Sequence, residues 1–307
     1  MSQSRSNSTQ RSDLARTHVD FPEEWEIVEA EGAGNFTTRV VYRKPDGSRR
    51  VWTSRRHRKG RGTRSRSGES TSYRDSPWLG LWAPGSVSWW VAVGFMAGSA
   101  LFALGAISSL WFPTFADEEL ATRIADWSYF IGTTVFTVAM YLQILETVNT
   151  DPHPERARYR PDESFQWFAW QPKRLSYVEA LVLFVGTVLY NIETALVVIG
   201  VSGGEGINWF LSVPSLLGAI LFVAGTYLQV VEACHRYLCV RLRSISWYSA
   251  MLNFLGCGGF LVGATASLGV PGLSIPSDPT IVKVAYLQGS VFFLIGSYLM
   301  LPEMFSE

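Results

Sequence analysis

Residues 141–146 read YLQILE, residues 227–232 read YLQVVE, and residues 298–303 read YLMLPE. Each phrase closes a long apolar run, and the runs align outward from it. Gly132, Gly218 and Gly289 each stand nine residues before the tyrosine, at Tyr141, Tyr227 and Tyr298. A second small residue follows seven later, at Ala139, Gly225 and Gly296, and Glu146, Glu232 and Glu303 end the phrase. The alternate apolar runs carry their own register. Ser88-Trp89, Ser176-Tyr177 and Ser246-Trp247 each precede a glycine by nine residues from the aromatic, at Gly98, Gly186 and Gly256. Two runs make one unit, written three times in the same direction: parallel repeats, unlike the inverted repeats of many transporters.

Six apolar segments, about 88–112, 127–148, 176–200, 210–232, 246–268 and 280–301, are each roughly 20 residues or slightly longer, which matches a hydrocarbon core of about 30 Å. Soluble helices of that length would carry a polar face, and VAVGFMAGSALFALGAISSL (91–110) has none. The predicted fold is therefore an all-α membrane protein, with six transmembrane helices arranged as three parallel helical-hairpin repeats. Small residues spaced for close backbone approach, including GFMAG (94–98) and GFLVG (259–263), are expected to carry the helix packing. The bulk figures, zero formal net charge and 17% charged residues over 307 residues, hide a polar, Arg-rich stretch before Trp78. Cys234, Cys239 and Cys257 are odd in number and lack metal-ligand spacing with His, so neither a disulfide framework nor a zinc site is expected. No cofactor motif is found, and no cleavable signal peptide is read at the N-terminus.

Basic residues set the expected orientation. The loop after the second segment holds Arg156, Arg158, Arg160, Lys173 and Arg174, and the loop after the fourth holds Arg236, Arg241 and Arg243, while the other connections are nearly free of them. With the basic stretch from Arg39 to Arg66, this predicts both termini on the cytoplasmic side of a prokaryotic plasma membrane. Residues 1–17 read as disordered and 18–54 as a small cytoplasmic β-element, with strand signals in WEIVEAEG, TTRVVYR and RRVWTS around a Lys44-Pro45-Asp46-Gly47 turn. Residues 55–76 read as a basic linker, followed by hairpin repeats at 77–149, 150–232 and 233–307. PWLGLWAP (77–84) and FQWFAWQPKR (165–174) read as interfacial belts.

Three groups of residues are candidates for function. Glu193 stands where the sister helices have Gly105 and Gly263, about 25 Å along its helix, with Asn191 and Thr194 beside it and Lys283 as a candidate partner. A carboxylate so deep is either a proton- or cation-binding group or a neutral or Lys-paired packing device. Glu146, Glu232 and Glu303, disfavoured by the dipole of the helix ends they occupy, either pair with arginines of adjacent loops or form a carboxylate ring at the cytoplasmic mouth. Arg49, Arg50, Arg55, Arg56, Arg58 and Lys59 are expected to contact anionic headgroups, each adding about 1 kcal/mol near the surface. Nucleic acid, with Tyr42 and Trp52 as stacking partners, is the weaker reading of the same arm.

The segments 132–143 and 218–229, with a Gly, an aromatic four residues later and then Tyr-Leu-Gln, together with Trp82-x-Pro84, Trp170-x-Pro172 and the run from Gly186 to Thr194, resemble the YrhK-like domain membrane proteins. The resemblance spans about 78–303 and implies the hairpin fold. The family is essentially uncharacterised, so it implies no catalytic residue; Asn191 and Thr194 fall on its motif, whereas Glu193 is not assigned by it. Taken together the sequence predicts a non-enzymatic membrane scaffold or sensor with a basic cytoplasmic arm, the bilayer as its partner, and a protein partner or homo-oligomer left open. The alternative is a small transporter or cation/proton channel using Glu193. A transporter needs a polar path, and polar side chains at depth are few.

Overall fold

The structure is a computed structural model and describes residues 19–60, 64–65, 81–114, 117–156, 165–201, 209–268 and 279–306. The predicted disorder of 1–17 and most of the predicted linker lie outside the described residues. The elements are β1 (Glu26–Ala33), β2 (Phe36–Arg43), β3 (Arg49–Thr53), a short helix α1 (Ser54–Arg58), β4 (Arg64–Ser65), and then α2 (Val87–Trp111), α3 (Glu118–Val148), α4 (Leu175–Val198), α5 (Trp209–Cys234), α6 (Ile245–Ser267) and α7 (Pro279–Ser306). Helices α2 to α7 are each long and apolar enough to cross a membrane, the mark of a multi-pass membrane protein.

Each long helix packs on the next, and α7 returns to α2, so the six close into a ring. Glycines set the approach of neighbours. A methyl group on Gly98 would lie 3.2 Å from the Gly132 carbonyl oxygen; on Gly186 it would lie 3.2 Å from that of Gly218; on Gly256, 2.8 Å from that of Gly289. Aromatics from the same helices fill the middle. Phe95, Phe102, Phe136, Phe222, Phe260 and Phe293 touch in sequence, with ring centroids 5.5–6.5 Å apart. The gap left among Phe136, Met140, Leu183, Phe222, Phe260 and Phe293 is about 10 Å³, no larger than the space one water needs. At this level the middle of the ring is closed by side chains.

One helix boundary differs from the hydropathy reading. Helix α3 begins at Glu118, nine residues before the apolar run at 127, because Asp117 caps it by accepting from the Glu119 amide and acidic residues occupy its first turn. Arg123 pairs with Glu119 at 2.6 Å on the same exposed face. Periodicity of apolar residues does not register a polar helical extension.

The N-terminal strands form an antiparallel sheet in the order β1-β2-β3-β4, with β4 only two residues long. The β1–β2 connection turns at Gly34, in the left-handed region (φ 57°), and β2–β3 turns at Gly47 (φ 81°), where Lys44 and Ser48 close the hairpin. Trp25 stacks on Tyr42 with centroids 4.7 Å apart, over a core of Val19, Ile27, Val40 and Trp52. The sheet is not a free arm. Its edge bonds to the chain after α3, through Asp20 to the Pro152 carbonyl (3.0 Å) and Tyr42 and Lys44 to Glu155 (3.0 and 2.7 Å). A further bond joins Thr38 to His235 after α5 (3.1 Å).

Two expectations are corrected. Residues 55–60, read as the start of the basic linker, instead continue β3 as α1 and a turn, held by burial against the bundle. Cys234 and Cys239 form a disulfide. His235 adopts a left-handed conformation (φ 58°) that reverses the chain directly after α5 and brings the two Cα atoms to 5.5 Å. Counting cysteines could not reveal that turn; Cys257 stays buried and unpaired in α6.

Candidate functional site: the buried charge junction under the sheet

Helix α1 reads Ser54-Arg-Arg-His-Arg58 and is followed by Lys59. At helical spacing, Ser54, Arg55, Arg58 and Lys59 fall on one side. That side faces the ends of α3, α5 and α7, where Glu146, Glu232 and Glu303 stand. Arg55 grips Glu303 through two bonds, 2.5 and 3.0 Å, and Lys59 reaches the same carboxylate at 2.7 Å. Arg58 pairs with Glu146 at 2.9 Å, and the Ser54 hydroxyl donates to Glu232 at 2.7 Å. The serines that open the alternate helices complete two of these sites, Ser88 donating to Glu146 and Ser246 to Glu303 (2.7 Å). Arg55, Arg58 and Lys59 retain at most 9% of their surface, and the three glutamates at most 5%.

Electrostatics follows from that burial. Burial opposes a charged Arg55, yet the Glu303 carboxylate outweighs it and holds the guanidinium above its ordinary value. For Arg58 burial is likewise overcome, chiefly by Glu146. Burial wins at Lys59, which is pushed down to about 8 although Glu303 opposes the shift and Arg55 and Arg58 reinforce it. On the other side of α1, His57 lies beside Trp52 and bonds the His153 carbonyl at 3.1 Å. Burial, with Arg174 nearby, lowers its pKa to about 4, so it is neutral near pH 7.

The three repeated glutamates are thus brought together with the arm, and their partners differ from the predicted ones. Among the described loop arginines, Arg174 donates to the Thr147 carbonyl and to Gln171, Arg241 to the Ala233 carbonyl, and Arg156 reaches Asp151. Nor do the carboxylates stand open as a ring, because α1 covers them; among the described residues no three His, Cys, Asp or Glu converge to hold a metal ion. Of the six basic residues expected on lipid, Arg55, Arg58 and Lys59 are sealed in these pairs. Arg49 is exposed on the sheet, and Arg50 and Arg56 are half-buried. Tyr42 and Trp52, the proposed base-stacking pair, are fully inside the sheet core and cannot stack on a nucleic acid.

Glu179 was not singled out from the sequence. It is fully buried in α4, takes a bond from Gln143 at 2.9 Å, and lies near Glu232, Arg58 and Arg55. The signal was available: an acid three residues past Ser176, where the other units have Val91 and Ser249.

The second candidate group is divided by the fold. Asn191 bridges α4 to α3, donating to the Thr133 carbonyl (3.2 Å) and Thr137, and accepting from Thr133 and Thr134 (3.1 and 3.0 Å). Thr194 meets Thr133 at 3.1 Å. This is interhelical polar glue. Lys283 donates to the Ser109 carbonyl at the end of α2 (2.9 Å), so the predicted Glu193–Lys283 pair does not form; a free helix-end carbonyl within reach satisfies the ammonium instead. Glu193 lies toward Asp126, Tyr129 and Tyr286. Its neighbours have made room. Tyr129 packs over Gly105 and Tyr286 over Gly263; in the middle unit the register exchanges both sizes, with Glu193 for the glycine and Ser215 for the tyrosine. No family model, curated protein or solved structure matches this chain.

Proposed function

We propose that this protein is a non-enzymatic membrane sensor or scaffold in which the N-terminal sheet is a detachable cap, latched through α1 onto the ends of α3, α5 and α7. The observation that carries the reading is the set of buried ion pairs from Arg55, Arg58 and Lys59 to Glu303 and Glu146. Buried pairs stabilise little over well-packed apolar groups, because desolvation offsets their attraction. What they supply is register and reversibility: released, every one of these groups is well solvated. The predicted orientation places the cap in the cytoplasm of a prokaryotic cell. Three parallel hairpins around one axis account for the three glycine contacts and for the recurring glutamates. The resemblance to YrhK-like domain proteins, carried by 132–143, 218–229, Trp82-x-Pro84, Trp170-x-Pro172 and the run from Gly186 to Thr194, is in keeping with the hairpins of this reading.

The transporter reading is disfavoured by the aromatic packing along the axis and by the placement of Lys283 away from Glu193. Hydrogen exchange on the full chain in nanodiscs tests the latch. Strands β1–β3 should lose amide protection together in Arg58→Met, while α2–α7 keep theirs; simultaneous loss in both regions would mean a structural core, not a cap. Orientation is tested in intact cells with a lone cysteine at the Asp46 turn, in a chain lacking the native cysteines. It should resist an impermeant thiol reagent, and ready labelling would overturn the cytoplasmic placement.

A further inference from the structure

Beside the latch is a cavity of about 450 Å³, bounded by β2, β3, α1, the chain after α5 and the end of α7. Its volume is that of a small-molecule site. Six cationic side chains line it against two carboxylates, Glu232 and Glu303. Both carboxylates are already engaged, Glu232 by Ser54 and Glu303 by Arg55, Lys59 and Ser246. Arg39, Arg56, Arg241 and Arg243 bring further positive charge to the walls, of which Arg39 is shared with Glu29 and Glu31 on the outer strand. His235 adds no acid of its own: burial, with Arg241, Arg39 and Arg236 nearby, keeps it neutral near pH 7. Like charges held together in a partly enclosed space repel more strongly than in open water, and an anion lowers that cost.

The wall also says which kind of anion fits. In the segment 237–242, Tyr237, Leu238, Val240 and Leu242 are 61–73% exposed, whereas Arg241 between them lines the cavity. One short stretch therefore leaves Leu238, Val240 and Leu242 exposed while its Arg241 lines the cavity. We propose that this cavity binds the phosphate group of an anionic lipid, whose acyl chains lie along Leu238, Val240 and Leu242. The assignment rests on the sensor reading and supplies its ligand: the floor of the cavity is the Arg55–Glu303–Lys59 cluster, so a bound phosphate offers the latch cations a second acceptor.

The full chain in nanodiscs of phosphatidylcholine, with and without phosphatidylglycerol or phosphatidate, provides the test, with lipid retention read by native mass spectrometry and sheet protection read by hydrogen exchange. Wild type should retain the anionic lipids selectively. The double variant Arg241→Gln/Arg243→Gln, outside the latch, should bind at least about tenfold more weakly, about 1.4 kcal/mol, with its sheet still protected in neutral lipid. If that variant loses its sheet, Arg39→Gln serves as the second test of the same wall. Equal retention of neutral and anionic lipid, or unchanged binding in both variants, would overturn the proposal. Glycerol phosphate bound in detergent as tightly as the lipids would overturn the lipid assignment in favour of a soluble phosphate. Arg-dependent retention without any change in sheet protection would leave the ligand standing and sink the sensor reading; a latch that opens without lipid selectivity would do the reverse.

Discussion

The two ends of the helix ring handle buried carboxylates in opposite ways. Under the sheet, Glu146, Glu232 and Glu303 are matched by cations and hydroxyls delivered from a segment some ninety to two hundred and fifty residues away in sequence, as for Arg58–Glu146 and Arg55–Glu303, and Glu179 beside them takes its bond from Gln143. Toward the other end, Glu193 has no such delivery. It is accommodated by volume, through the small Ser215 in place of a tyrosine. Charge compensation across a junction can be undone by moving one element, whereas an exchange of sizes inside a packed bundle cannot. The first arrangement suits a switch and the second a fixed core.

The strongest way to break that contrast is at Arg58. Arg58→Met leaves Glu146 buried without its cation and should cost about 3–5 kcal/mol of docking, read as lost protection of β1–β3; pairing it with Glu146→Gln should recover most of the loss, and no recovery would mean the pair is not coupled. Next is pH. His57 has a docked pKa of about 4 against an ordinary value of 6.5, so the released cap binds the proton more readily. Docking should be undiminished above pH 6.5, weaken as pH falls toward about 4, and lose about 3 kcal/mol over that window. Lys59, at about 8 when docked, acts in the same direction: docking should strengthen again from pH 8 toward 10.5. Cap protection that rises on acidification would contradict both.

Reducing the Cys234–Cys239 disulfide should have a smaller and local effect, about 2 kcal/mol for so short a loop. It should appear as faster exchange of residues 235–241, with Thr38 losing its His235 contact and the α1 pairs intact. A cytosolic face would favour the reduced form. Glu193 should give effects of that size or smaller. Glu193→Gln should change detergent melting by less than about 1 kcal/mol, while Glu193→Gly should leave a void worth about 2 kcal/mol. Adding Ser215→Tyr to Glu193→Gly recreates the tyrosine-on-glycine packing of the other two units and should restore most of that loss. A double variant worse than the single would sink the size-exchange reading.

Local information was enough for much of the architecture. Six runs of apolar residues long enough for a bilayer, the strand segments on either side of Gly47, and glycines in matching register are all properties of short windows, since helix length, turn conformation and side-chain size act over a few residues. The same windows marked Glu146, Glu232 and Glu303 as needing partners. They could not name them. Arg55, Arg58 and Lys59 looked like a solvated basic stretch because charge density alone does not distinguish a linker from a helix that buries one face. Glu179 passed unnoticed because it is one acid in an apolar run, and its importance comes from Gln143, Glu232 and the α1 cations beside it. Position along the helices makes Lys283 a candidate partner for Glu193, whereas in the fold it meets the Ser109 carbonyl. The sequence by itself determined the spans, the strands and the places where charge would be costly to bury. Which opposite charge meets each of them was decided only by the tertiary structure, because ion pairing depends on distances of a few ångströms between segments that the chain sequence leaves unrelated.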